Sequence, residues 1–174
     1  PYVESDPPQP VSAYGRSKLM GEKFVTSLCQ KHFIIRTAWL YGDGKNFVRT
    51  MLRLAETHDE VSVVDDQVGC PTSTEELARM IHYLEQTEQY GLYHGVCQGQ
   101  TSWADFTDEI YRLEGIKTKV NHISSEEYAS MNPNAARRPH YSVLEDQMLT
   151  LIDPDGMGFR MADWHDALKK YLKK

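Results

Sequence analysis

The stretch Ser12-Ala13-Tyr14-Gly15-Arg16-Ser17-Lys18-Leu19-Met20, with the run Phe33-Ile34-Ile35-Arg36-Thr37 behind it, decides the fold class. Ser12 has the side chain of a helix N-cap, and Leu19, Met20, Phe24, Val25 and Leu28 follow on one helical face. The apolar run at 33–37 then reads as a short buried strand. Helix followed by strand is half of an α/β repeat, and working outward the unit recurs. Phe47, Val48, Met51, Leu52, Leu54 and Ala55 predict a helix over 46–58, followed by the alternating strand Val61-Ser62-Val63. A third helix is expected over 74–88 with a strand over 92–96, and a fourth over 102–113 with a strand over 117–123. Met131-Asn132-Pro133-Asn134 interrupts regular structure. Trp164, Ala167, Leu168, Tyr171 and Leu172 predict a last surface helix, its final turns carrying lysines that suit the helix dipole. Helices alternating with strands place the chain in the α/β class.

Composition narrows the function. The 174 residues are 40% apolar and 25% charged, the balance of a packed globular domain long enough to bury its own core. Nineteen Lys and Arg against 25 Asp and Glu give a net charge of -6, and no segment gathers enough base to neutralise a row of phosphates, which argues against nucleic acid. No apolar run approaches the roughly 20 residues of a membrane span, and no signal peptide is legible. Cys29, Cys70 and Cys97 are far apart, without C-x-x-C or His-paired spacing, so neither disulfides nor zinc are expected and a reducing cytoplasm fits best. The opening Pro1 to Pro10 reads as a Pro-rich connecting loop. The expectation is that the chain is the C-terminal part of a longer protein.

Tyr14 and Lys18, four residues apart at the start of a helix, project from one face and can act on one small target. A tyrosine, with an ordinary pKa of about 10, exchanges protons poorly at neutral pH, but a neighbouring ammonium stabilises its phenolate. Such a pair can give a proton to a carbonyl oxygen as hydride reaches the carbon. Spacing alone favours the reading of the pair as surface decoration of a helix, since Y-x-x-x-K is a loose pattern. Trp39, just past the first strand, stands where open α/β sheets place ligands, as a stacking face for a sugar or as a core residue. Asn46 and Phe47 open the next helix as a ligand-binding amide and ring, or as an N-cap followed by a core aromatic. Asp66, Gln67 and Thr72 surround Gly69 and Pro71 in a loop, and Arg137 and Arg138 offer guanidinium forks suited to phosphate.

The segments Y-G-R-S-K-L-M-G-E at 14–22, I-I-R-T-A-W-L-Y-G at 34–42 and G-K-N-F-V-R-T-M-L-R-L-A at 44–55 occur in that order, with D-D-Q-V-G-C-P-T at 65–72, G-L-Y-H at 91–94 and A-R-R-P at 136–139 after them. Together they resemble the extended short-chain dehydrogenase/reductase superfamily and, within it, the dTDP-4-dehydrorhamnose reductase family, over nearly the whole chain. The resemblance implies the C-terminal part of a Rossmann-like NAD(P)-binding fold plus a small α/β substrate-binding domain. Residues 1–45 would be the remnant of the Rossmann-like domain. Residues 46–174 would hold the sugar nucleotide, with some segments returning to the first sheet.

It further implies that Tyr14 protonates a C4 keto oxygen while NADPH delivers hydride, and that Lys18 binds the nicotinamide ribose and tunes Tyr14. Trp39, Asn46, Phe47, Gln67, Thr72 and Arg138 would contact the dTDP-sugar. The family's catalytic Ser or Thr and its glycine loop would lie before Pro1, since this chain has no G-x-x-G-x-x-G. The fragment alone would then be inactive. NADH in place of NADPH, a homodimer, and Mg2+ held by carboxylates near Glu75 or Glu76 stay open at this stage, and no metal ligand is assigned. Two rivals stand beside this reading: another nucleotide-sugar epimerase or dehydratase of the superfamily, and a non-catalytic regulatory protein of the same fold.

Overall fold

The computed structural model describes residues 1–133, 138–153 and 158–173. The chain runs α1 (Ala13–Leu28), β1 (Phe33–Arg36), β2 (Leu40–Tyr41), α2 (Phe47–Ala55), β3 (Glu60–Val64), β4 (Val68–Gly69), β5 (Thr72–Ser73) and α3 (Thr74–Glu85). It continues with β6 (Gly91–His94), β7 (Thr101–Ser102), α4 (Trp103–Glu114), β8 (Lys119–Ile123), α5 (Ser125–Met131), α6 (Gln147–Ile152) and α7 (Trp164–Leu172). Every long element expected from periodicity is present. The dipeptide strands and the short helices α5 and α6, of seven and six residues, were not expected, because segments this short carry too little period to read.

The strands pair two by two: β1 with β6, β2 with β5 and β3 with β8 in parallel, and β4 with β7 antiparallel. Parallel pairing follows from the helices between partners, since a crossover returns the chain to the same end of the sheet. The β1–β6 register sets Phe33 against Gly91 and Arg36 against His94. Local chemistry fixes the helix ends. Ser12, Asn46, Ser73, Ser102 and Ser124 each accept a backbone N–H as N-cap. Gly115, with φ at +66°, closes α4 in the left-handed conformation that glycine adopts at least cost.

The core lies among α2, α3, α4, α6 and α7, where Tyr41, Met80, Leu84, Phe106, Ile110, Leu149 and Leu168 are all at most 1% exposed. Burying each such side chain contributes on the order of 2 kcal/mol. Helix α1 contains no buried residue, and Met20, Phe24, Val25 and Leu28 on its apolar face are 40–83% exposed. Its hold on the described residues includes a forked ion pair, in which Arg36 Nε and Nη2 donate to Glu22 at 2.9 and 2.7 Å. No helix among the described residues is long and apolar enough to cross a membrane.

Asp146 precedes α6 without making a side-chain cap bond, and its Oδ2 is buried with no partner among the described residues. Burial first, then the nearby Glu4 and Glu145 carboxylates, push its carboxyl up to about 6, against the opposing pull of a backbone hydrogen bond and Arg160. The folded state therefore holds this proton more tightly than the unfolded chain. The contribution to stability is complete below about pH 4 and is lost as pH rises through about 6. A gap of about two units caps the effect near 3 kcal/mol, and partial exposure lowers it to about 1. Asp146→Asn is accordingly expected to stabilise the chain by about 1 kcal/mol at pH 8 and to do nothing, or harm, at pH 4. Urea melts at the two pH values check it; an equal effect at both would remove the titration from the account.

Candidate functional site

Tyr14 and Lys18 occupy successive turns of α1, with Lys18 Nζ 5.7 Å from the centroid of the Tyr14 ring. Tyr14 is 72% exposed, and among the described residues its hydroxyl makes no hydrogen bond. One further turn along the same face stands Glu22, anchored on Arg36 at the carboxyl end of β1. The row Tyr14, Lys18, Glu22 is thus aligned with the end of β1. Three residues beyond Arg36, the chain presents Trp39.

Trp39 is the single non-glycine residue with positive φ, at +49°, among the described residues. A bulky side chain in that region costs on the order of 1 to 2 kcal/mol and persists only where its surroundings hold it. Its carbonyl accepts from Thr72 N at 3.2 Å, and its ring stacks on Trp103 with centroids 3.5 Å apart and planes 6° off parallel. Gly69 lies against the same indole. A Cβ there would stand 2.4 Å from Cε2, 2.6 Å from Nε1 and 2.8 Å from Cζ2. Being nearest the ring-fusion atom, it would sit over the indole face rather than at its rim.

The loop after β3 is tied to the start of α5. Asp66 accepts from Ser125 N at 3.0 Å and Ser125 Oγ at 2.6 Å, and Gln67 Nε2 donates to Ser125 Oγ at 2.8 Å. Burial pushes the Asp66 carboxyl up, but the Ser125 hydrogen bonds and the neighbouring His140 outweigh it and hold the carboxyl below its ordinary value. The segment after Arg138 runs alongside: Val68 N donates to His140 O, and Ser142 N to Val68 O. Arg138 is exposed two residues from that pairing. The structure therefore brings Trp39 against Gly69, two residues from Gln67, and pairs Val68 with His140, two residues from Arg138, while Arg137 lies outside the described residues.

Three of the expected ligand contacts already have partners within the protein. The amide of Asn46 is fully engaged: Oδ1 accepts from Arg49 N, and Nδ2 donates to Gly42 O, Gly44 O and Tyr171 Oη. Phe47 packs against Trp103 and Phe106 beside the core. Thr72 is fully buried, donating to Cys70 O and accepting from Cys97 N. Thr72 is buried, whereas Asn46 and Phe47 stay partly exposed beside these contacts.

Two clefts, one between Gly42, Ser73 and Tyr171 and one between Thr101, Asp108 and Trp164, include none of the expected contacts. Glu75 pairs with Lys170, and Glu76, 2% exposed, pairs with Arg79 at 2.8 Å. Both carboxylates that the resemblance connected to Mg2+ thus already face cations. The described group at metal-ligand spacing is a different one, the exposed Asp105, Asp108 and His122, in which His122 Nε2 already meets Asp108 at 2.8 Å. Burial pushes the Cys97 thiol up to about 12 and raises Cys70 too, which disfavours thiolate chemistry at either.

Residues 1–174 match the family described as RmlD substrate binding domain. A spore coat polysaccharide biosynthesis protein SpsK of Bacillus subtilis is 39% identical over 175 residues, covering all of this chain and 58% of that protein. A crystal structure of a dTDP-4-dehydrorhamnose reductase from Clostridium acetobutylicum is 48% identical with a TM-score of 0.91, covering 99% of this chain and 59% of that one. A second, from Bacillus anthracis in complex with NADP, is 40% identical with a TM-score of 0.89, covering 99% and 58%. The chain spans about 60% of the length of the curated relatives it matches.

Proposed function

Because this chain belongs to the RmlD substrate binding domain family, we propose that it is the sugar-nucleotide-holding and proton-donating part of an NADPH-dependent reductase. The reaction is conversion of the C4 ketone of dTDP-4-dehydro-L-rhamnose to the alcohol of dTDP-L-rhamnose. The observation that carries the reading is the open Tyr14–Lys18 pair in line with the Glu22–Arg36 anchor, three residues before Trp39. NADPH, when bound, supplies the hydride that reduces C4. Tyr14 holds the proton at Oη and gives it to the ketone oxygen as the C4–H bond forms, so the C=O π bond becomes an alcohol without a free alkoxide. Lys18 is assigned to the nicotinamide ribose and to the charge that proton transfer leaves on Tyr14. Both side chains are exposed and unpaired with other described residues, which suits a cofactor laid along α1.

Gln67 and Arg138 are assigned to the nucleotide side and Trp39 to the sugar. Residues 1–45 are assigned to the cofactor-facing domain and 46–174 to the sugar-nucleotide domain, with β6 returning to pair with β1. Mixing the full-length protein with NADPH and the keto sugar is expected to consume NADPH one for one with dTDP-L-rhamnose formed. A regulatory protein of the same fold would consume none, and an epimerase or dehydratase would change the sugar without net NADPH loss. Titrating NADPH into the 174-residue chain alone is expected to give no binding; tight binding would place the whole cofactor site within these residues and overturn the division.

A further inference from the structure

We propose that Trp103 is a positioning residue of the sugar site, stacking on Trp39 so that this indole meets a bound deoxysugar through its Nε1–H edge and not through its face. The inference rests on the nucleotide-sugar reading and concerns how that site is built. A sugar can stack only on an aromatic face that is free. Trp103 covers one face of Trp39 at 3.5 Å, and the Gly69 backbone covers the other so closely that even a methyl group would not fit. The indole N–H of Trp39 makes no hydrogen bond to the described residues, so the edge offers a donor.

Trp103 is itself held in place. Ser102 caps α4 immediately before it, accepting from Asp105 N and donating to Asp105 Oδ2, and Phe47 packs on the ring at 4.5 Å and 46°. The positive φ of Trp39 then has a purpose. It turns the side chain into the slot between Gly69 and Trp103, which an extended residue at that position would not enter.

Two stacked indoles couple in circular dichroism, which gives a readout independent of turnover. In the 174-residue chain the couplet is expected to persist when dTDP-L-rhamnose binds, and calorimetry should show dTDP-L-rhamnose binding more tightly than dTDP. Trp103→Leu should abolish the couplet and weaken dTDP-L-rhamnose about tenfold while leaving dTDP within twofold. Trp103→Phe, which keeps an aromatic cover, should recover most of the sugar-specific part. Trp39→Phe, which keeps a ring but lacks the N–H, should lose it. Collapse of the couplet on sugar binding, equal losses for dTDP and dTDP-L-rhamnose in Trp103→Leu, or a Trp39→Phe chain that binds the sugar like the parent would each overturn the proposal. Absence of dTDP binding by the unmodified chain would instead sink the nucleotide-sugar reading on which it stands.

Discussion

Tyr14→Phe in the full-length protein is expected to cut turnover of the keto sugar by roughly a thousandfold, within the range that a positioned proton donor contributes. The substitution removes one oxygen and nothing else of consequence. Tyr14 is 72% exposed and its hydroxyl bonds to no described residue, so the change should leave the melting temperature where it was. Lys18 keeps its place over the ring, since its contact at 5.7 Å is to the aromatic centroid and not to the hydroxyl. Product affinity should likewise hold within a few fold, because the proton donor acts mainly in the transition state. The measurement is NADPH consumption at saturating keto sugar beside calorimetric binding of dTDP-L-rhamnose. Unchanged turnover would remove Tyr14 from the chemistry, and a parallel loss of product binding would make it a ligand contact.

Tyr14 was legible in the sequence because its partner is local: four residues along a helix fix both side chains on one face whatever the rest of the chain does. The Ser12 cap and the α2, α3, α4 and α7 periodicities were legible for the same reason. The apolar face of α1 was legible too, but an apolar stripe states which face seeks cover and not what covers it; the described residues leave that stripe exposed. Asn46 and Thr72 show the converse. Each has the chemistry of a ligand contact, and each also bonds within the protein, Asn46 to Gly42, Gly44, Arg49 and Tyr171, and Thr72 to Cys70 and Cys97. Two of these partners are distant, Cys97 lying 25 residues from Thr72 and Tyr171 lying 125 from Asn46. In the sequence, Trp103, Phe106 and Ile110 make one stripe of the fourth helix. The stacking of Trp103 on Trp39 depends on the chain bringing α4 beside the end of β1, and no sequence period records that.

The same assembly gives the largest stability effect expected here, from the smallest change. Gly69→Ala should destabilise the chain by about 3 kcal/mol, the upper part of the range for forcing one group into a filled site. The added carbon would meet Cε2, Nε1 and Cζ2 of Trp39 at 2.4 to 2.8 Å, and an indole is rigid, so relief must come from moving the whole ring. Trp103 at 3.5 Å blocks that movement, and Phe47 at 4.5 Å supports Trp103 from the core. Gly42 is a useful contrast. A Cβ there would also be crowded, 2.1 Å from Thr74 Oγ1, but Thr74 is exposed and can change rotamer, so Gly42→Ala should cost less. The decisive comparison is a double variant. If Trp103 is what pins Trp39 against Gly69, then Trp103→Leu opens space on the far side and the ring can yield to the new methyl. Gly69→Ala should then cost at least 1 kcal/mol less in the Trp103→Leu background than in the parent, a coupling typical of residues that share one contact. Urea denaturation of the four chains measures it. Additive losses would mean that the two residues act on Trp39 separately, and that the slot is not closed from both sides.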